Sequence, residues 1–174
     1  MGNKEDKIRV GVVLGSVSDI GKVKDLFQIL DEFEVRYELA IISAHRTHAL
    51  LEEYARSAVS RSIEVIIAAA GLSAALPGVL AALVDIPVIG IPVSAGPLNG
   101  VDALLSIAQM PPGIPVATVG IDGSKNAGLL AVRILALTDD VLGERLVQYK
   151  KDMADGVLKK ALDVKKEGYP IWEI

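Results

Sequence analysis

Five short runs rich in Val and Ile punctuate the chain: Ile8–Leu14, Val35–Ile42, Ile63–Ala69, Pro87–Val93 and Pro115–Ile121. The first, third, fourth and fifth are almost unbroken in apolar residues, the pattern of strands covered on both faces of a parallel sheet. The second carries Arg36 and Glu38, which predicts an edge strand. Between the runs the period changes to that of a helix. Ile20, Val23, Phe27 and Leu30 share one predicted helical face. Leu50, Leu51 and Ala55 share another, with Glu52, Glu53 and Arg56 on its wet side. Regular alternation of strand and helix predicts an α/β domain: a doubly wound parallel sheet between two helical layers.

Right-handed crossovers place helices on both faces of such a sheet. A flavodoxin-like order of about five strands, 2-1-3-4-5, puts the charged second strand at an edge. After this three-layer αβα core, about residues 8–138, the pattern becomes one long helix from Asp139 to Lys166 with a stripe of Leu142, Leu146, Tyr149, Met153, Val157 and Ala161. An added amphipathic helix needs another apolar surface, and a second subunit supplies one; packing back on its own domain is the competing reading. The whole of residues 1–174 reads as a single domain with a C-terminal helical arm at about 139–170.

Composition narrows the function. With 51% hydrophobic and 23% charged residues the chain is globular and not disordered. The acidic excess, 22 Asp plus Glu against 18 Lys plus Arg, gives no basic face for nucleic acid. The sequence has no cysteine, which rules out disulfides, thiolate metal sites and cysteine nucleophiles, and suits a cytoplasmic protein. Met1–Lys7 is polar and does not read as a signal peptide. Val65–Val84 is uncharged and long enough for a bilayer, but Gly71, Ser73, Pro77 and Gly78 break it, so strand, turn and helix are expected instead of a membrane span.

In doubly wound sheets ligands bind beyond the carboxyl ends of the strands. After the first run stands Gly15-Ser16-Val17-Ser18-Asp19. Backbone amides at a helix start, two hydroxyls and a carboxylate suit a ribose phosphate; they also suit a plain helix cap. After the second stands Ser43-Ala44-His45-Arg46-Thr47-His48, where His45 is a candidate acid or base and Arg46 a planar fork for phosphate. His48 reads as structural. After the third, Ala70-Gly71-Leu72-Ser73-Ala74-Ala75-Leu76-Pro77-Gly78 allows close backbone approach at Gly71, and Ser73 is a donor or a cap. Gln109-Met110-Pro111-Pro112-Gly113 is a candidate cover for the substrate, or only a stiff connector.

Together Gly15-Ser16-x-Ser18-Asp19, Ser43-Ala44-His45-Arg46-Thr47, Leu76-Pro77-Gly78, the segment Leu104–Val119 and Asn126-Ala127-Gly128-Leu129-Leu130-Ala131 closely resemble the PurE family, in order and spacing from about Arg9 to Leu137. That family comprises N5-carboxyaminoimidazole ribonucleotide mutases and aminoimidazole ribonucleotide carboxylases of purine biosynthesis. The resemblance implies a cytoplasmic homo-octamer with no metal or organic cofactor, acting on a small ribonucleotide and carbon dioxide. It implies that Ser16, Asp19 and Arg46 hold the ribose phosphate, that Ser43, Ser18, Gly71 and Ser73 line the same pocket, and that His45 is the catalytic acid/base. Two positions depart from the mutase pattern: Ala75 and His48 stand where mutases usually have His and Pro. The carboxylase branch resembles this chain at Ser73 and in lacking the histidine at Ala75, but usually has Lys in place of Arg46. A mutase is therefore expected, with direct carboxylation as the alternative. A non-catalytic nucleotide-binding module on the same fold is the reading from another class.

Overall fold

The three central strands of the sheet are built from residues that leave no polar side chain to hydrate. In the computed structural model, which describes residues 7–172, they are β1 (Val10–Leu14), β3 (Val65–Gly71) and β4 (Val88–Val93). Every residue of β1 and β4 is buried, and so is all of β3 but Gly71. β2 (Tyr37–Ile41) and β5 (Ala117–Thr118) are half-exposed and flank them. All pairings are parallel and the order is β2-β1-β3-β4-β5. The expected edge position of the second strand is borne out, with Glu38 paired to Arg61 at 2.8 Å.

The fifth run differs from expectation. It is an exposed edge, not a strand covered on both faces, and only two of its residues pair, with Ile89 and Gly90. It has one neighbour, and Pro115 offers no N–H. Contact with β4 continues singly through Val119 N donating to Gly90 O at 3.1 Å and Asp122 N to Pro92 O at 2.8 Å.

Helices cover both faces. On one, α2 (His48–Ala58), α3 (Leu76–Leu83) and α4 (Val101–Ala108) bury Leu51, Ala55, Leu80 and Ile107 against Val13, Ile66 and Ala68. On the other, α1 (Lys24–Glu32) crosses α5 (Ser124–Leu135) at Gly128, where an added Cβ would lie 3.0 Å from Ile29. The helical faces shift from those expected. Leu50 is exposed because Leu51, Ala55 and Ala58 face the sheet and Leu50 lies about a hundred degrees around the axis. Residues 17–22 form a 3₁₀ turn and α1 begins only at Lys24, so its buried face is Leu26, Ile29 and Leu30. Phe27 lies off that face and stacks on Tyr37 of β2 with ring centroids 5.2 Å apart.

Val65–Val84 forms β3, a loop and α3, as expected; among the described residues no helix is long and apolar enough to cross a membrane. The polar start read as lacking a signal peptide lies, apart from Lys7, outside the described residues. The sheet and its helices form one compact unit ending at Leu135, and Ala136 onward a second. In the latter, Asp139 caps α6 (Asp140–Lys166) by accepting from Leu142 N at 3.3 Å. Of the expected stripe Leu142 is buried, while Met153 and Val157 are 55% and 67% exposed.

Gly90 marks the tightest point of the sheet. A Cβ there would run into Ile107 of α4, and would lie 3.0 Å from Val116 and 3.4 Å from Pro77 of α3. Gly90→Ala should therefore cost about 1–3 kcal/mol by overpacking, read as a lower midpoint in urea unfolding at unchanged slope.

Candidate active site

Parallel register brings separate loops to one level. Leu14 pairs with both Ile41 and Ala69. Gly15 N donates to Ala69 O at 3.1 Å, and Ile42 N to Leu14 O at 2.9 Å. The residues that follow each strand therefore surround one open cavity of about 790 Å³ at the carboxyl edge of the sheet. Its polar wall is Ser16, Ser18, Asp19, Ser43, His45 and Arg46; Gly71 and Ser73 belong to the facing loop. Every residue proposed for the site from the sequence thus lines a single cavity.

The first loop is a 3₁₀ turn and not the expected helix start. Ser16 caps it, its Oγ accepting from Ser18 N at 3.3 Å and from Ser18 Oγ at 2.8 Å. Ser18 Oγ also lies 3.4 Å from Asp19 Oδ1. A turn this short has little aligned dipole, so anion binding here falls to the hydroxyls, not to a helix end. Burial pushes the Asp19 carboxyl above its ordinary pKa, while hydrogen bonds from the Ser18 side chain and the Ser16 backbone pull the other way.

The second loop is a tight turn pinned by Thr47, whose Oγ1 accepts from Ser43 N at 2.9 Å and donates to Ser43 O at 3.1 Å. Arg46 Nε donates to Ser43 Oγ at 3.3 Å, which orients the guanidinium and leaves its terminal nitrogens without a protein partner among the described residues. His45 sits exposed at the crest of this turn, and among the described residues none hydrogen-bonds its ring. His48 opens α2 and lies 3.3 Å from Glu52, consistent with its structural reading.

The third loop closes through small residues. At Gly71 a Cβ would lie 3.1 Å from Val93 O and 3.3 Å from the Cβ of Ala95, so glycine lets this loop meet the one after β4. Leu72 then turns with φ +56°, a left-handed conformation costing roughly 1–2 kcal/mol in a residue with a Cβ. Ser73 does not cap α3; its N-cap is Ala75, with no side-chain cap bond.

Ala44, Ala70, Leu72, Ala74, Ala75, Leu76 and Ala95 form an apolar wall facing the polar one. Ala95 was missed in the sequence, although its place just past the end of β4 is where the strand-end rule looks. Gln109–Gly113 contributes nothing to this cavity: Met110 packs instead against Gly78 on α3, where an added Cβ would lie 3.0 Å from its sulfur.

The sequence matches the AIR carboxylase family over residues 9–156. The chain belongs to this family. An N5-carboxyaminoimidazole ribonucleotide mutase of Pyrococcus abyssi is 59% identical over 145 residues, covering 83% of each chain. A phosphoribosylaminoimidazole carboxylase of Schizosaccharomyces pombe is 52% identical over 160 residues, 92% of this chain but 29% of that longer protein. The crystal structure of Treponema denticola PurE superimposes with a TM-score of 0.82 at 29% identity, covering 90% of this chain and 98% of the other. The PurE resemblance of the sequence motifs is borne out.

Asp19 separates stability from binding. Its raised pKa means that the folded chain holds a proton the unfolded chain releases. Its ionised form therefore opposes folding, increasingly as pH rises from the unfolded value through the folded one. Asp19→Asn should leave thermal stability at pH 7 equal or higher while weakening ribonucleotide binding, measured by calorimetry on the same samples.

Proposed function

We propose that the protein converts N5-carboxyaminoimidazole ribonucleotide into its 4-carboxy isomer, with His45 as the acid and base. The observation that carries this reading is the lining of one cavity by His45, the Ser16-Ser18-Asp19 turn, Ser43 and Arg46. A chain 59% identical to a named mutase supports it. Arg46 offers two terminal nitrogens in a fixed plane, the geometry that suits a phosphate. The hydroxyls of Ser16, Ser18 and Ser43 add donors, and Asp19 accepts from ribose hydroxyls.

The chemistry needs one proton carrier. Protonated His45 gives its proton to the exocyclic nitrogen, the nitrogen–carboxyl bond breaks, and carbon dioxide and the amine remain in the site. The enamine carbon 4 attacks that carbon dioxide, forming the new carbon–carbon bond and a cationic ring. Neutral His45 removes the proton from carbon 4, aromaticity returns, and His45 is ready again. No atom or electron enters or leaves. Confinement makes recapture effectively unimolecular. The wall of Ala70, Ala74, Ala75 and Ala95 offers the uncharged gas an apolar surface and no hydrogen-bonding competitor for it.

Direct carboxylation of aminoimidazole ribonucleotide is the second reading, favoured by Ala75 and Ser73 on the cavity wall. Both substrates should be offered in parallel without ATP: the N5-carboxylated ribonucleotide, and aminoimidazole ribonucleotide with excess bicarbonate. The expected result is 4-carboxylate chiefly from the first, falling at least about a hundredfold in His45→Asn. Product chiefly from the second would make the enzyme a carboxylase. No product from either, with ribonucleotide still bound, would leave a binding module.

We infer further that the chain forms one functional domain, acts in the cytoplasm where such diffusible metabolites are processed, and assembles as a homo-octamer through its C-terminal arm. What supports the assembly is the outer surface of α6, where Val147, Met153, Val157, Leu158, Leu162 and Val164 are exposed. Apolar side chains repeated along a charged helix suit burial against another copy. Val157→Asp should shift the mass in light scattering from that of an octamer towards smaller species; an unchanged mass would remove the arm from the interface.

A further inference from the structure

A second polar cluster stands behind the cavity wall and takes no part in the chemistry above. Lys22 ends the 3₁₀ turn that carries Ser18 and Asp19. Its Nζ donates to Ser94 Oγ at 2.7 Å and lies 3.3 Å from Asp122 Oδ2. Ser94 N donates to Asp122 Oδ1 at 2.9 Å, and Ser94 Oγ to Oδ2 at 2.5 Å. One carboxylate therefore gathers three strand-end loops, those after β1, β4 and β5.

The loops need such a tie. The Val17–Lys22 turn has no buried residue, and 3₁₀ geometry holds itself together poorly. Ser94 precedes Ala95 on the cavity wall, and the next residue, Gly96, abuts Leu72: a Cβ on Gly96 would lie 2.9 Å from the Leu72 side chain. Asp122 is itself held in a left-handed conformation, φ +54°, its N–H donating to Pro92 O at 2.8 Å. Burial pushes its carboxyl up, but the Ser94 hydrogen bonds and Lys22 outweigh it and keep the group below the ordinary carboxylate range.

We propose that Lys22, Ser94 and Asp122 form a clamp that positions the Ser18–Asp19 turn for the ribonucleotide, with Lys22 and Asp122 as positioning residues that do not touch the substrate. The proposal rests on the mutase reading only for its assay. Without the clamp the turn samples other placements, and substrate must select the productive one. Affinity then falls while the chemistry at His45 is untouched.

The test compares Lys22→Met, Lys22→Arg and Asp122→Asn with the parent protein, in steady-state kinetics on the N5-carboxylated ribonucleotide and in calorimetric binding of aminoimidazole ribonucleotide. Lys22→Met and Asp122→Asn should each raise KM and Kd by roughly tenfold, with kcat within about twofold and little change in melting temperature. Lys22→Arg should recover most of the loss, and the Lys22→Met, Asp122→Asn double variant should be no worse than either single, because one clamp is broken once. A rise for Lys22→Met with none for Asp122→Asn would mean that Lys22 contacts substrate directly, and would overturn the clamp. Unchanged KM and Kd, or a fall in kcat together with melting temperature, would overturn it too. If the parent protein binds the ribonucleotide but converts nothing, the mutase reading fails while the binding comparison still decides the clamp.

Discussion

Parallel pairing of the strands is the constraint from which the site follows. A parallel ladder fixes register as well as adjacency, and here it sets Leu14 level with Ile41 and Ala69. The residues next in line, Gly15, Ile42 and Ala70, have no choice but to leave the sheet at the same height. What they lead into is a polar turn on each side of β1 and a small-residue loop on β3. Antiparallel strands would have scattered the same segments to opposite ends of the sheet.

Burial of the central strands makes that constraint rigid. Because β1, β3 and β4 expose almost nothing, a slip in register would move buried side chains against helices packed on both faces. Rigidity below the site permits unusual backbone within it. Leu72 and Asp122 both hold left-handed conformations, and each stands in a loop braced by its neighbours: Gly71 and Gly96 beside Leu72, Ser94 and Lys22 beside Asp122. Strain of this kind persists only where the surroundings overdetermine it.

The sheet and the cavity lining were legible in the sequence because they depend on local composition. Unbroken Val and Ile runs marked the central strands, the charges at Arg36 and Glu38 marked an edge, and unusual residues just past strand ends marked the site. What was not legible depends on partners distant in the chain. Ile20 and Val23 fit a helical period, but the segment holding Ile20 is a 3₁₀ turn whose last residue pairs with Asp122, 100 positions on. The last run looked like a covered strand, yet its place at the end of the sheet leaves it little to pair with. Gln109–Gly113 looked like a cover, and no local signal reveals that Met110 is taken up by Gly78.

The cavity draws on chain segments from Gly15 to Ala95, and no short stretch holds enough of it to bind anything. Its parts meet only when strands distant in sequence have zipped together, a step that comes late in parallel topologies. Catalytic competence is therefore an all-or-none property of the folded sheet. Nascent or nicked chains carry no partial activity that could release carbon dioxide from a labile carbamate without recapturing it, so the fold itself guards the substrate against wasteful decomposition.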